Sequence, residues 1–394
     1  MRSTLRSIRA VAVVAALTGF AAIALPAGPA AAHRDGNVDG ISPAEAWFFA
    51  SPTTSKVVAL NGHDRATLAA FPTAQVLAGH FSSRSTAEAF LYNPGSGPDG
   101  LVKLSREGDA GTLTLSLTPM PVGGRFQPIV ADLDQNGHDD IFWYAPGATR
   151  DYLWSFQADG SVVSTEQHVN GTYTPVPIHL DRLSHTHDQE AILWYGRGTR
   201  GDALWTFEQG GTAHVSHALE VNGDYTPVTG AFYPPSAQTG SQQVLWYSRT
   251  GKGNTFWSFG LTGDGSHTSS AAPNTDPGDQ VLAGAFIDPG LSPLDSAFFY
   301  APGTAPEDYW TVDTSDHKAV IFRDHRNMIS GNYRTMHRLA GRASTRGPVF
   351  LSDDGTARQL QLEGEGFPGY QETTTYTGLP GHAVADFTTY LAPA

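Results

Sequence analysis

The chain has 394 residues, of which 40% are hydrophobic and 11% are aromatic, which is enough to form a sizeable core. Its 43 glycines and 26 prolines favour a turn-rich fold and exclude a helical bundle. With 24 basic against 38 acidic residues the formal net charge is −14, so a general nucleic-acid binder, which needs clustered cations, is also excluded.

Residues 1–32 have the pattern of a secretory signal peptide. Three arginines lie in the first nine residues, an apolar run over 10–25 follows, and the small residues Ala30, Ala31 and Ala32 end the segment. The apolar run is shorter than the roughly 20 residues that a membrane-spanning helix needs. We therefore predict cleavage after Ala32 and a secreted, extracellular protein without membrane insertion.

A short aromatic segment recurs along the rest of the chain. Its clearest copies are IFWYAPG (141–147), ILWYGRG (192–198), VLWYSRT (244–250) and AFFYAPG (297–303). One register position within it, which we call the marker, is occupied by Phe48, Leu91, Trp143, Trp194, Trp246, Phe299 and Phe350, at intervals of 43, 52, 51, 52, 53 and 51 residues. Such a period is the signature of a repeat architecture.

Each repeat contains signals for about four short strands, which is typical of a propeller blade. The alternation over Ile141–Tyr144 puts large apolar groups on both faces of the strand, as expected when each blade lies between two others. The sequence thus predicts an all-β, seven-bladed propeller in one domain over 46–394, after an N-terminal segment over 33–45. Because 46–49 lacks a preceding strand and 383–387 lacks a following one, both termini are predicted to share one blade.

Residues 132–140 form the strongest chemical motif, D-x-D-x-N-G-x-D-D. Oxygen ligands at positions 1, 3, 5 and 9 and a carbonyl at position 7 can surround a hard cation, and the glycine at position 6 allows the sharp turn. Trp143 stands where an EF-hand has its last glutamate, and the flanks have strand patterns, so a helix-loop-helix is excluded. Calcium with a structural role is the predicted occupant, because one loop supplies all the ligands.

A strand ending in V-A-D, this loop, and a strand ending in A-P-G together resemble the FG-GAP or VCBS-type repeat of secreted bacterial proteins and integrin-α-like propellers. The resemblance implies a seven-bladed propeller. It also implies the calcium ligands Asp132, Asp134, Asn136 and Asp140 through side chains and His138 through its main chain. In four other repeats the first aspartate is replaced by Gly79, Gly230, Gly284 and Gly341. Whether Asp386 and the acidic turn over 35–40 form a second, split site stays open.

The leading prediction of function is a non-catalytic extracellular binding module, monomeric, with a carbohydrate or protein ligand. Aromatic residues that recur near loop ends are suited to stacking on sugars, although packing between blades is the favoured interpretation. They are Tyr152, Tyr173, Tyr225, Tyr309 and Tyr333.

Two alternatives remain, a polysaccharide-degrading lyase or hydrolase on a propeller scaffold and a structural cell-envelope or adhesion protein. A binder predicts similar sites in several blades, whereas an enzyme predicts one unequal blade crowded with histidine, arginine and carboxylates. The segment 317–337 has that character, with Lys318, Arg323, Asp324, His325, Arg326, Arg334 and His337. No nucleophile motif identifies a catalytic residue.

Overall fold

The chain folds as an all-β propeller of four-stranded blades, which confirms the fold class predicted from the repeat. The computed structural model describes residues 46–51, 56–61, 64–69, 71, 75–83, 88–106, 112–147, 149–180, 189–232, 242–251, 253–260, 263–284, 286, 295–313, 320–337, 348–352, 354, 356–362, 370–376 and 383–386. The predicted signal peptide and the acidic turn over 35–40 lie outside these residues. Within them, no helix is long and apolar enough to cross a membrane.

The described strands form seven four-stranded sheets, which we number as blades 1 to 7. The strands are β1 (Ala46–Ser51), β2 (Lys56–Asn61), β3 (Asp64–Ala69), β4 (Gln75–Gly79), β5 (Glu88–Tyr92), β6 (Gly100–Arg106), β7 (Leu113–Pro119), β8 (Gln127–Ala131), β9 (Asp140–Tyr144), β10 (Asp151–Phe156), β11 (Val162–Gln167), β12 (Thr174–Leu180), β13 (Gln189–Tyr195), β14 (Asp202–Phe207), β15 (His214–Leu219), β16 (Tyr225–Gly230), β17 (Gln243–Ser248), β18 (Asn254–Phe259), β19 (His267–Ala272), β20 (Gln280–Gly284), β21 (Ser296–Tyr300), β22 (Glu307–Asp313), β23 (Val320–Arg326), β24 (Arg334–His337), β25 (Val349–Leu351), β26 (Ala357–Leu362), β27 (Tyr370–Tyr376) and β28 (Ala383–Asp386). Blade 1 has the order β28-β1-β2-β3, and each later blade takes the next four strands in sequence.

The blades contact one another around the whole set. Their first strands form a continuous row of contacts from β24 through β28, β4, β8, β12 and β16 to β20. Blades 6 and 7 meet through Phe298 and Phe350, whose ring centroids are 5.7 Å apart. In blade 1, β28 pairs with β1, with Ala383 opposite Ala50, so the two ends of the described chain lie in one sheet.

In blades 2 to 7 the marker residue packs against the preceding blade. The ring of Trp143 lies 5.6 Å from Phe90 and 4.9 Å from Tyr92, the two neighbours of the preceding marker. All five residues of β9 are buried, because one face meets blade 2 and the other meets blade 4. Burying a large apolar side chain contributes roughly 1.5–3 kcal/mol, so the repeated aromatic layer is a main source of stability.

The tyrosine after the marker links its blade to the start of the next one. The Tyr144 hydroxyl donates to the carbonyl of Gly171 (2.9 Å) and accepts from the N–H of Tyr173 (2.9 Å). A Cβ at Gly171, where φ is +146°, would lie 2.6 Å from the ring of Tyr173, so only glycine fits this close approach. We call the residue that donates its N–H to this tyrosine the cap.

Four caps are aromatic, and each ring packs on the marker of its own blade at 5.6–6.2 Å. They are Phe126, Tyr173, Tyr225 and Tyr333. The favoured interpretation of the recurring tyrosines as packing residues therefore holds for three of these positions, and it also holds for Tyr309, which is buried against Phe298.

A buried carboxylate at or just before the start of the third strand joins two loops in blades 2, 3 and 4. In blade 4, Asp202 accepts from the N–H of Gly196 (2.7 Å) and from the N–H of Val221 (2.6 Å). Asp99 and Asp151 accept two backbone N–H groups in the same way. In blade 5, Asn254 accepts from the N–H of Ser248 and donates to the carbonyl of Pro273, and in blade 6, Glu307 accepts from Met328 and Ile329. Burial raises the pKa of Asp202, and the backbone donors offset that effect.

Candidate functional site

The loop between β8 and β9 brings three of the predicted calcium ligands together. Asp132, Asp134 and Asp140 are all buried, and one carboxylate oxygen from each lies within 4.8 Å of the others. The turn follows from the sequence, because Gln135 (φ +58°) and Gly137 (φ +86°) both adopt the left-handed region. The loop therefore concentrates negative charge in a small buried space.

Burial, together with the neighbouring carboxylates, raises the pKa of Asp134 to about 6 and that of Asp140 well above its usual range. Backbone N–H groups compensate this only in part. Asp140 accepts from Leu133 (3.0 Å), Asp134 (3.1 Å) and Phe156 (3.2 Å). A bound divalent cation would remove the mutual repulsion, so the donor set fits a hard cation.

The other two predicted ligands are Asn136 and His138, and the Oδ1 atom of Asn136 points away from the three carboxylates. The amide nitrogen of Asn136 donates to Asp134 Oδ2 (3.0 Å) and to the carbonyl of Phe156 (2.8 Å), while its Oδ1 accepts from the N–H of His138 (2.7 Å). The two ends of an amide exchange by a half-turn of the side chain, which would direct Oδ1 toward the carboxylates. His138, whose main chain is the other predicted ligand, is buried within the loop.

A second cluster lies in blade 6, where the cap is not aromatic. The N–H that donates to the Tyr247 hydroxyl (3.2 Å) belongs to Asp279. A carboxylate thus stands where Tyr173 and Tyr225 pack in blades 4 and 5. The same hydroxyl also holds the loop between β19 and β20, because it donates a hydrogen bond to the carbonyl of Asp276.

Another carboxylate lies next to it in the sheet. Asp308 of β22 is opposite the marker Phe299, and its side chain is 2% exposed. At the same position, blades 4 and 5 have Ala203 and Thr255 opposite their markers. Blade 6 therefore has two acidic residues beside its marker.

Two basic side chains of β23 contact this buried carboxylate. Arg323 donates from Nε to Asp308 Oδ1 (2.6 Å) and from Nη2 to Oδ2 (2.7 Å). His325 Nδ1 is 2.9 Å from the same Oδ1, and its side chain is 54% exposed. The bidentate pair fixes the guanidinium, and Asp308 orients the imidazole with Nε2 away from it.

The electrostatics single out Asp279. Partial burial, together with the nearby carboxylates of Asp276, Asp308 and Glu307, raises its pKa to about 7. His325 acts in the opposite direction. A carboxyl group with a pKa near 7 can accept a proton and return it at neutral pH, which is the property of a general base.

The two sites lie on opposite faces of the propeller. The loop between β8 and β9 follows the first strand of blade 3, whereas Asp279 precedes the first strand of blade 6. Strand order repeats from blade to blade, so the end of one first strand and the start of another lie at opposite faces.

A cleft of about 550 Å³ opens beside the loop between β8 and β9. It is lined by Ser82, Ser83, Asn136, His138, Gln157 and Ala158.

Sequence reasoning found part of the second cluster. It singled out Arg323 and His325, but it missed Asp279 and Asp308. The available signal was the repeat alignment, because Asp279 replaces an aromatic cap. Of the other basic residues in that segment, Lys318 lies outside the described residues, Arg326 pairs with Asp324 on β23, and Arg334 and His337 belong to β24 of blade 7.

Comparisons with known proteins identify the fold. No family model matches the chain, and no curated protein matches it. Solved structures do match: a protein from Lactobacillus plantarum with a TM-score of 0.56 and 12% identity, and a "putative 6-phosphogluconolactonase" from Bacteroides uniformis with a TM-score of 0.55 and 11% identity. A functionally unknown protein from Desulfotomaculum acetoxidans has a TM-score of 0.53 and 6% identity. Each match covers 87% of this chain and 99% of the other chain.

The prediction of a non-catalytic binding module is contradicted. The similar propeller from Bacteroides uniformis is described as a lactonase, which is a hydrolytic enzyme. Three of the recurring tyrosines that could have stacked on sugars, Tyr173, Tyr225 and Tyr333, pack on the marker rings of their own blades.

Proposed function

We propose that the chain is a hydrolase on a β-propeller scaffold, with its active site in blade 6. The observation that carries the proposal is the replacement of an aromatic cap by Asp279, beside the Asp308, Arg323 and His325 cluster. The substrate is a carbohydrate derivative. Sugar lactones come first, because of the description of the Bacteroides uniformis protein, and polysaccharides come second.

The residues have complementary roles in ester hydrolysis. Asp279 takes a proton from water as its oxygen attacks the carbonyl carbon of the lactone. Only two of the five N–H donors of Arg323 are used by Asp308, so the others can stabilise the negative charge on the carbonyl oxygen. His325, held by Asp308, donates a proton to the leaving ring oxygen as the C–O bond breaks. The product is the open hydroxy acid.

A calcium ion at Asp132, Asp134 and Asp140 has a structural role in this proposal. Three buried carboxylates in one loop support binding of a hard cation, and their position on the other face separates the ion from catalysis. Asn136 and the main chain of His138 complete the proposed ligand set.

We also propose the number of blades and the type of repeat. Seven contacting four-stranded sheets, with both termini in blade 1, support a closed seven-bladed ring of the FG-GAP or VCBS type. We propose that it is secreted after removal of 1–32 and acts as a monomer.

The experiment is a hydrolysis assay on sugar lactones and polysaccharides, with acid release and new reducing ends as readouts. We expect lactone opening by the wild type and a fall of roughly 10²–10⁴ in kcat for Asp279→Asn. Removing a partly buried carboxylate should leave the melting temperature unchanged or higher.

The matched control is Asp202→Asn, which changes the buried carboxylate of blade 4 that has only backbone partners. This variant should melt at a lower temperature and keep its kcat per folded molecule. Absence of hydrolysis on every substrate would overturn the proposed function. Equal rates for Asp279→Asn and the wild type would overturn the proposed site.

A further inference from the structure

The blade 6 site carries an excess of negative charge. Four carboxylates belong to it, and they are Asp276, Asp279, Glu307 and Asp308. The basic side chains that contact Asp308 are Arg323 and His325. The chain as a whole has a formal net charge of −14, so its overall field has the same sign.

The guanidinium of this site is already paired with a carboxylate. Arg323 donates from Nε and Nη2 to Asp308, which leaves its outer N–H groups for the carbonyl oxygen but neutralises its charge. The pair has the parallel two-bond geometry in which an arginine otherwise binds a phosphate or a substrate carboxylate. A phosphorylated ligand would have to compete with Asp308 for this geometry.

From these contacts we infer that the substrate of the site is uncharged, a hydroxyl-rich sugar lactone or glycoside without a phosphate or carboxylate group. This inference rests on the proposed function and narrows its substrate class. A phosphomonoester carries about two negative charges at neutral pH, and it would meet carboxylates on several sides. A neutral sugar avoids this repulsion and can donate its hydroxyl groups to the carboxylates.

The test compares matched neutral and anionic substrates. Glucono-1,5-lactone is compared with its 6-phosphate, and a neutral aryl glucoside is compared with the aryl glucuronide. We expect kcat/KM to be at least about tenfold higher for the neutral member of the pair that is hydrolysed, with a smaller difference at high salt.

Asp276→Asn sharpens the test, because it removes one carboxylate of the site without changing Asp279 or Asp308. We expect it to reduce the preference for the neutral substrate severalfold. Asp159→Asn is the control, since it makes the same change in net charge at an exposed turn of blade 3 and should leave the preference unchanged.

The outcomes separate the two proposals. Hydrolysis with equal or greater kcat/KM on the anionic member would overturn the inference and leave the proposed function standing. Hydrolysis of neither member of either pair, and of no polysaccharide, would overturn the proposed function and the inference together. A preference that falls equally in both aspartate variants would assign it to net charge and overturn the local argument.

Discussion

Blades 4 and 6 have the same strands, the same tyrosine link and nearly the same repeat length, but they differ at four positions around the marker. Blade 4 has the cap Tyr173, with Ala203, Ser216 and Ala218 in the two outer strands. Blade 6 has Asp279, Asp308, Arg323 and His325 at the equivalent positions.

This comparison shows which positions of the repeat can vary without loss of the contacts between blades. The marker strand and the tyrosine link serve the contact between blades, so they are kept in both. The cap lies at the end of the blade, where polar side chains reach solvent. Two carboxylates beside a buried aromatic cost stability, and natural proteins accept such a cost mainly at functional sites.

The largest expected effect tests the ring on which both blades depend. Deletion of 383–394 removes β28 and leaves β1 without its partner on that side. We expect loss of the cooperative thermal transition and of all activity, because an open propeller exposes a sheet edge and an apolar face. Circular dichroism during heating checks this. A sharp transition in the truncated protein would show that blades fold without closure.

The second prediction converts blade 6 to the pattern of blade 4. The double variant Asp279→Tyr and Asp308→Ala restores an aromatic cap and removes a buried charge. We expect hydrolysis to fall by roughly 10²–10⁴. We also expect stability to rise by about 1–3 kcal/mol, since an aromatic side chain becomes buried. Denaturant unfolding and lactone assays measure the two effects, and a variant that loses both would show that the cluster is part of the core.

The third prediction concerns blade 3, which has a proposed calcium loop in place of a catalytic cap. Calcium at 100 times its Kd should stabilise the protein by about 2.7 kcal/mol, which corresponds to a few degrees in Tm. Asp134→Ala should abolish this response. Because the loop and Asp279 lie on opposite faces, kcat of the folded protein should not change. An unchanged melting curve in chelator would remove the calcium site.

The smallest expected effect is a shift in pH dependence. Asp279 must be ionised to act as a base, so kcat/KM should rise with pH through an apparent pKa near 7. Asp276→Asn removes the largest charge contribution to this raised pKa and should move the rising limb to lower pH by a fraction of a unit. The same variant preserves the acceptor for the N–H of Gly278. A limb that stays in place would show that another group titrates.

The raised pKa of Asp279 should also make the folding stability of the protein depend on pH. The folded pKa of Asp279 is raised above its usual 3.8, so its protonated form favours folding. That contribution is fully present below pH 4 and is lost as pH rises through 7. Asp279→Asn should therefore flatten the dependence of Tm on pH in that window, and an unchanged dependence would contradict the raised pKa.

Much of the fold was predictable, because packing between blades needs the same residue types at the same spacing. The position of Trp143 between two blades follows from its place in an alternating strand. The turn at Gly137 and the convergence of Asp132, Asp134 and Asp140 follow from a continuous motif, since nine residues fix the geometry.

The proposed catalytic cluster was harder to predict, because its members are far apart in the sequence. Asp279, Asp308 and His325 come from a loop and two strands, and only the antiparallel register places them side by side. No local pattern marks Asp279, which stands in a glycine- and proline-containing turn. Its significance appears only when its position is aligned with the aromatic caps of other blades.

The pairing of β28 with β1 has a consequence for the order of assembly. During synthesis, blades 2 to 7 can form from segments that are contiguous in the chain, but blade 1 lacks β28 until residues 383–386 leave the ribosome. Until then, β1 has no partner on that side. A stalled or C-terminally truncated nascent chain would keep that edge open and offer it to chaperones or to other chains.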